Sequence, residues 1–380
     1  MKICCFQRFK IRVNAVSFGF LALFLAACVP ASAQLTPQEP DPLARIRDAA
    51  KSNVQACSAT GETLCEQVAP KIIANAEGDS PLAQNLHRLL DVTKEKSAGF
   101  AAEPPAVAWA LAAFRDAGLD AHTEKFLVAT DTPRHGVAEI VIAEIRGREK
   151  PEEWVLLAAD IDPTDSVAAA TVAASNAALV VEAARDIQLT GVRPRRSIRF
   201  VLFGGDDQGM TGAWAYVGGH RNELDRMRGA FLLDADANRV NAFALNGRRE
   251  IEAGVREAMK PAESLGAFQF SPNTSENTDS IDLVLEGIPT IVTNSLEAAG
   301  HGPDPSPADS AASVDLFRLK RNTAVAAVAA FGIAERTEPI GIRQSRAEIE
   351  ALLKTTGLAD KLKSNGIWPQ WQSGKRGRMP

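Results

Sequence analysis

From about residue 106 to residue 335, short apolar or β-branched runs alternate with Ala-rich stretches of helical spacing. That alternation restricts the chain to α/β folds in which a largely parallel sheet is buried between helices. The runs at 138–145 (AEIVIAEI), 154–159 (WVLLAA), 197–203 (SIRFVLF), 230–233 (AFLL) and 290–293 are strand-like and bounded by turn or charged residues. Between and around them, 106–117, 166–186, 210–221, 281–286 and 314–335 have helical composition, the first of these stopped by Gly118. The expected fold is a mixed, largely parallel central sheet flanked by helices, in one domain over 43–336. A C-terminal segment, 337–380, should hold a helix at 347–362 weakened by Gly357, and a basic tail, Gly374-Lys375-Arg376-Gly377-Arg378, read as solvated. The segment 43–96, with helical spacing at 43–54, could either cover a cleft or pack on the outside. No internal repeat is present.

In such sheets ligands gather past the carboxyl ends of the strands, and this sequence puts acids there. Asp160, Asp162 and Asp165 follow one strand, Asp206 and Asp207 the next, and Asp234 and Asp236 a third. Any one of them would ordinarily be an Asx turn or helix cap. Three such clusters side by side would repel one another unless cations or protons neutralise them, so together they indicate a site.

The N-terminus reads as an export signal: basic residues 1–12, an apolar run at 13–27 too short to span a bilayer, and Ala31-Ser32-Ala33 as a small-x-small cleavage site, giving a leader of 1–33. Leu25-Ala26-Ala27-Cys28 also fits a lipobox, which would end the leader at 27 and leave Cys28 lipidated, the only route to the membrane. A proline-rich linker, 34–42, follows. The expected location is the periplasm or cell envelope. Cys57 and Cys65 are the cysteines beyond the leader and close a short loop as a disulfide, with two unpaired buried thiols as the alternative. Their spacing is not that of a zinc pair. The formal charge is −5, and removing Lys2, Arg8, Lys10 and Arg12 with the leader makes the chain more acidic still. Nucleic acid is therefore not an expected partner.

The blocks VLLAADID, EAARDIQLTGVRPRRSIRFVLFGGDDQG, TGAWAYV, FLLDAD and EGIPTIVTNS resemble, in order and spacing, family twenty-eight of the metallopeptidases, the group of aminopeptidase Y and carboxypeptidase Q. The resemblance runs from about residue 93 to 334 and implies a two-zinc exopeptidase scaffold. Carried across position by position, it puts the first zinc-binding His on Asp160 and keeps the Asp that orients it as Asp162. The zinc-bridging Asp falls on Val172, and the Glu-Glu pair, general base then ligand, falls on Asp206 and Asp207. Asp234 matches a ligand outright, a Thr-Asp-His reads Thr278-Asp279-Ser280, and the final His falls on Pro305.

Each departure has a chemical consequence. Valine cannot bridge two cations, and proline offers no donor, so a two-zinc centre is not expected. The surviving set, Asp160, Asp207 and Asp234 beside Asp206, is all oxygen and suits one divalent cation, with Mg, Ca or Mn favoured over Zn. Asp206 is one methylene shorter than a Glu base, which misplaces its carboxylate by about 1 Å. His301 is the histidine nearest the ligand loop and the one substitute imidazole on offer. His87, His122 and His135 precede the core blocks, and His220 at a helix end reads as solvated or capping. Two readings follow. In one, the protein is a non-catalytic relative whose cleft binds a peptide, a small amino-acid derivative or an envelope partner. In the other, it is an active metallo-exopeptidase with one metal on the Asp cluster, Asp206 as base, and Asp162 orienting the ligand at position 160. A third reading is a purely structural envelope component.

Overall fold

Eight strands form one sheet in the order β1-β2-β4-β3-β5-β8-β6-β7. The computed structural model describes residues 62–94, 105–128, 136–161, 167–204, 211–234, 240–275, 279–294 and 314–380. The leader, Cys28, the linker, the helical spacing at 43–54 and Cys57 lie outside those residues. In chain order, α1 (Glu62–Glu77), α2 (Leu82–Lys94) and α3 (Pro105–Asp116) lead into β1 (Ala121–Val128), β2 (Gly136–Ile145) and β3 (Lys150–Asp160). Next come α4 (Val167–Leu189), β4 (Arg196–Phe203), α5 (Thr211–Gly219), β5 (Met227–Leu232) and β6 (Ala242–Ala244). They are followed by α6 (Glu252–Met259), β7 (Gln269–Ser271), α7 (Ser280–Leu285), β8 (Thr290–Asn294) and α8 (Leu316–Glu335). The chain ends with α9 (Arg346–Thr355), α10 (Leu358–Ser364) and α11 (Trp368–Gln372).

The centre of the sheet is parallel: β4 with β3, β3 with β5, and β5 with β8. Antiparallel β1 and β2 extend one side, while β6, antiparallel to β8, and β7, parallel to β6, extend the other. Both faces are covered, as a parallel sheet requires. Alternation along each strand sorts its side chains: Val155, Leu157, Ala159, Phe200 and Leu202 join the core under α1, α3, α4 and α8. Trp154, Leu156, Ala158, Val201 and Phe203 join the opposite core with Tyr216 and Val217 of α5. This period-two division is why the strands read as continuous apolar runs. Within the segment left open above, α1 and α2 pack on the helix layer of α4 and α8, with Val68, Ile72, Leu86 and Leu89 in that core.

The basic tail is not solvated. Arg376 is 3% exposed and forks Asp282 of α7, with Nε donating to Oδ1 and Nη2 to Oδ2, each at 2.7 Å. Its guanidinium also lies over Trp214 of α5, 4.9 Å from the ring centroid. The Arg378 N–H donates to the Leu285 carbonyl at 2.9 Å. The anticipated single helix is two, α9 and α10, broken at Gly357, whose φ of +74° is left-handed and suits a residue without Cβ. Ser345 begins α9 with a capping box, its hydroxyl accepting from the Glu348 N–H while the Glu348 carboxylate accepts from the Ser345 N–H. Ile281, Val284, Leu285, Ile349, Leu353 and Trp371 bury this block as a third core.

One buried pair sets a pH dependence. Asp186 and Glu182, one turn apart on α4, are 0% and 1% exposed. Burial raises both carboxyls, Asp186 to about 8, helped by the charge of Glu182. Arg185 beside them, at 3.0 Å from Glu182 and 3.4 Å from Asp186, and Lys320 from α8 oppose the shift. A raised folded-state pKa means the native chain holds a proton that the unfolded chain has released, so stability falls as pH rises from about 4 to 8. Asp186→Asn is expected to flatten that slope and stabilise the protein at pH 8 by on the order of 2 kcal/mol. Urea midpoints from pH 5 to 8 measure it, and parallel wild-type and variant curves would contradict it.

Candidate functional site

Two of the acids predicted at strand ends, Asp160 and Asp234, are brought to one edge of the sheet by register. Asp160, the last residue of β3, pairs with Phe203, the last residue of β4, and the next N–H, of Ile161, donates to the Phe203 carbonyl at 2.9 Å. On the other side of β3, Leu232 of β5 pairs with Ala158, and the Leu233 N–H donates to the Ala158 carbonyl at 2.8 Å. Asp234 comes next. Its N–H donates to the Thr293 hydroxyl of β8 at 2.9 Å, which ties the acid-bearing turn to the neighbouring parallel strand. Asp160 and Asp234 therefore stand past the ends of adjacent strands, flanked by the ends of β4 and β8.

Asp160 is half-buried and Asp234 exposed. Desolvation by the surrounding protein pushes the Asp234 carboxyl up to about 7. Asp162, Asp206 and Asp207 lie outside the described residues, as do Pro305 and His301. Val172 is half-buried in the first turns of α4, the helix that follows the Asp160 loop. The family resemblance assigns this position to a bridging carboxylate, and valine carries no donor atom. Among the described residues no group of three or more His, Cys, Asp or Glu is placed to hold a metal ion. Asp160 and Asp234 carry oxygen donors, the type that hard divalent cations take, whereas a valine side chain offers none to a bridged zinc pair.

The described histidines are engaged or located elsewhere. His220 is not solvated: its Nε2 sits 3.1 Å from the Glu124 carboxylate of β1, and its ring lies 4.4 Å from that of Tyr216. It follows the far end of α5, whose first turn faces the cleft edge. His122 is exposed on β1 and His87 on α2. Cys65 makes no disulfide among the described residues, and burial pushes its thiol up to about 12, so it is a poor nucleophile and a poor ligand.

Two supporting residues escaped the sequence reading. Thr293, 2% exposed near the end of β8, accepts the Asp234 N–H and so holds the backbone that carries the acid. Asn322, 2% exposed within α8, accepts the Val240 N–H at 2.9 Å through Oδ1 and fixes the chain entering β6. Each sits among other polar residues in the sequence, so neither stands out until its partner across the fold is known.

A mixed sheet with helices on both faces and acids at the ends of two adjacent parallel strands is a peptidase-type α/β fold. The chain belongs to peptidase family M28, whose family model matches residues 141–330. It is similar to carboxypeptidase Q of Homo sapiens, 28% identical over 148 residues, a match that covers 39% of this chain and 31% of that protein. Among solved structures, it is similar to a peptidase M28 precursor from Shewanella amazonensis, with a TM-score of 0.64 and 16% identity over 74% of this chain and 99% of that one. It is also similar to a zinc aminopeptidase from Bacillus subtilis, with a TM-score of 0.55 and 13% identity over 70% and 97%. At those identities the two structures speak for the fold alone. Among the described residues no helix is long and apolar enough to cross a membrane.

Proposed function

We propose that this chain is an exported member of its family that keeps the cleft, binds a peptide or small amino-acid derivative there, and does not carry out two-zinc hydrolysis. Val172 carries the reading: at the position that the family resemblance assigns to the zinc-bridging carboxylate, α4 supplies a side chain with no donor atom. Aspartate in place of histidine at 160 and proline in place of histidine at 305 point the same way, since each removes an imidazole. The relatives named for peptidase activity make peptides the natural class of ligand. Export by the N-terminal leader, with Cys28 as an optional lipid anchor, places the protein in the periplasm or envelope.

The second reading is a one-metal exopeptidase. The convergence of Asp160 and Asp234 past adjacent strands favours it, and Asp207 would complete an oxygen set around one divalent cation. Asp206 would then hold the proton taken from an attacking water, while Asp162 would orient the ligand at position 160. Turnover of aminoacyl anilides and dipeptides, with zinc, manganese or magnesium added, separates the two. Background rates with every metal are expected. Metal-dependent turnover that Asp206→Asn abolishes would establish the enzyme reading instead.

A further inference from the structure

At the edge of the sheet where the parallel strands begin, two adjoining turns are basic. β2 leads into β3 through residues 146–149, and α4 leads into β4 through 190–195. The Arg148 N–H donates to the Pro194 carbonyl and the Lys150 N–H to the Arg195 carbonyl, each at 2.9 Å. Arg148 Nη1 donates to the Arg193 carbonyl, also at 2.9 Å. A Cβ at Gly147 would stand 2.5 Å from the Arg196 carbonyl carbon, so glycine is what lets the turns stack this closely.

Over 146–150 and 190–195 the sequence carries Arg146, Arg148, Lys150, Arg193 and Arg195 against one acid, Glu149. Part of that charge is engaged within the fold. Arg195 pairs with Glu149, and Arg148 pairs with Glu149 and with Glu335, which is buried at the end of α8. The side chains of Arg146, Lys150 and Arg193 make no hydrogen bond or ion pair among the described residues, and both arginines are exposed. Glu152, exposed on β3, offsets one of the three, and Glu153 is taken up by Arg196 and Arg228. The uncompensated charge on these turns is therefore positive. One apolar side chain stands beside it: Leu189, the last residue of α4, is 56% exposed. Asp160 and Asp234 stand at the opposite edge, so the molecule is electrically polarised along its strands, in a chain of net charge −5.

We infer that this basic edge docks on an anionic lipid surface, with Arg146, Arg193 and Lys150 against the headgroup phosphates and Leu189 entering the interface. The acidic cleft edge then faces away from the lipid. Unpaired cations a few residues from an exposed leucine match a boundary where phosphates lie directly over acyl chains, which a soluble anion does not offer. The polarity also sets the orientation, because a protein of net negative charge approaches such a surface most favourably by its positive side. The contact is independent of any chemistry in the cleft, and it is a link to the membrane additional to a lipid on Cys28.

The test is co-sedimentation of the processed chain, residues 34–380, with neutral phosphatidylcholine vesicles and with vesicles in which about one lipid in three is phosphatidylglycerol. Removing 1–33 keeps the leader's own basic and apolar sequence from supplying the binding. At low salt, binding to the anionic vesicles about tenfold or more tighter than to the neutral ones is expected, and it should weaken as salt is raised. Arg146→Glu combined with Arg193→Glu should weaken it about tenfold or more, and Leu189→Ser about threefold. Lys363→Glu combined with Lys375→Glu changes the net charge equally at exposed positions elsewhere and should leave most of the binding in place. Equal binding to the two kinds of vesicle, wild-type binding by the Arg146 and Arg193 double variant, or equal loss in the two double variants overturns the inference. Arg146, Arg193 and Leu189 are exposed, so their variants are expected to unfold at the wild-type temperature, and thermal melts separate lost binding from lost structure.

Discussion

Arg376→Ala should lower the stability of this protein by about 3–5 kcal/mol, the usual cost of removing one partner from a buried ion pair. Asp282 is 0% exposed on α7, and the two 2.7 Å bonds from Arg376 are what make its charge tolerable there. Alanine would leave that carboxylate buried with its principal cation gone and would remove the guanidinium from the face of Trp214. The effect should exceed that of any exposed pair, such as Lys363 with Asp360, where both side chains are more than half exposed and the interaction is worth less than about 1 kcal/mol. Arg376→Lys should recover only part of the loss, because an ammonium cannot make the forked contact. Chemical denaturation measures all three, and an Arg376→Ala midpoint equal to wild type would show that the tail is not docked as described.

Gly332→Ala should also be strongly destabilising, although alanine is the better helix former by about 1 kcal/mol. Gly332 lies in the buried last turn of α8, against α6. A Cβ built there would stand 2.2 Å from the Ala258 carbonyl oxygen and 3.0 Å from its carbon, both backbone atoms that no rotamer change can move. The helices would have to separate, at a cost of about 3 kcal/mol or more by the ordinary scale of overpacking. The same change at Gly357 meets nothing within 4 Å and is opposed only by the +74° φ, so it should cost about 1 kcal/mol. Equal effects at the two positions would contradict the close helix crossing.

The parallel strands could be read from the chain because burial on both faces leaves an unbroken apolar run: residues 154–159 and 197–203 lie inside β3 and β4, and 230–233 overruns the end of β5 by one buried residue, Leu233. The same logic hid the margins of the sheet. β1 reads Ala-His-Thr-Glu-Lys-Phe-Leu-Val, a polar edge strand that pairs on one side only, and β6 and β7 are three residues each. No local pattern marks a strand of three residues. The tail reads as solvated because three basic residues and glycines near a terminus look that way, whereas the residue that neutralises Arg376 lies 94 positions earlier.

For the site, an acid directly after an apolar strand is a local signal, and Asp160 and Asp234 do stand at one edge. What brings them there, the pairing of β3 with both β4 and β5 and the Thr293 hydroxyl under Asp234, is long-range and has no imprint in neighbouring residues. His220 shows the same limit, since its partner Glu124 belongs to a strand that the pattern did not disclose.

The metal question can be put to the whole protein at once. Purified full-length chain would be equilibrated with excess zinc, freed of unbound metal, and its zinc counted per chain by elemental analysis. With valine at position 172 and no imidazole at 160 or 305, retention well below two zinc ions per chain is expected. Two tightly held zinc ions per chain would contradict that directly, and would mean that groups other than those carried by the family resemblance assemble a dinuclear centre at the edge where Asp160 and Asp234 meet.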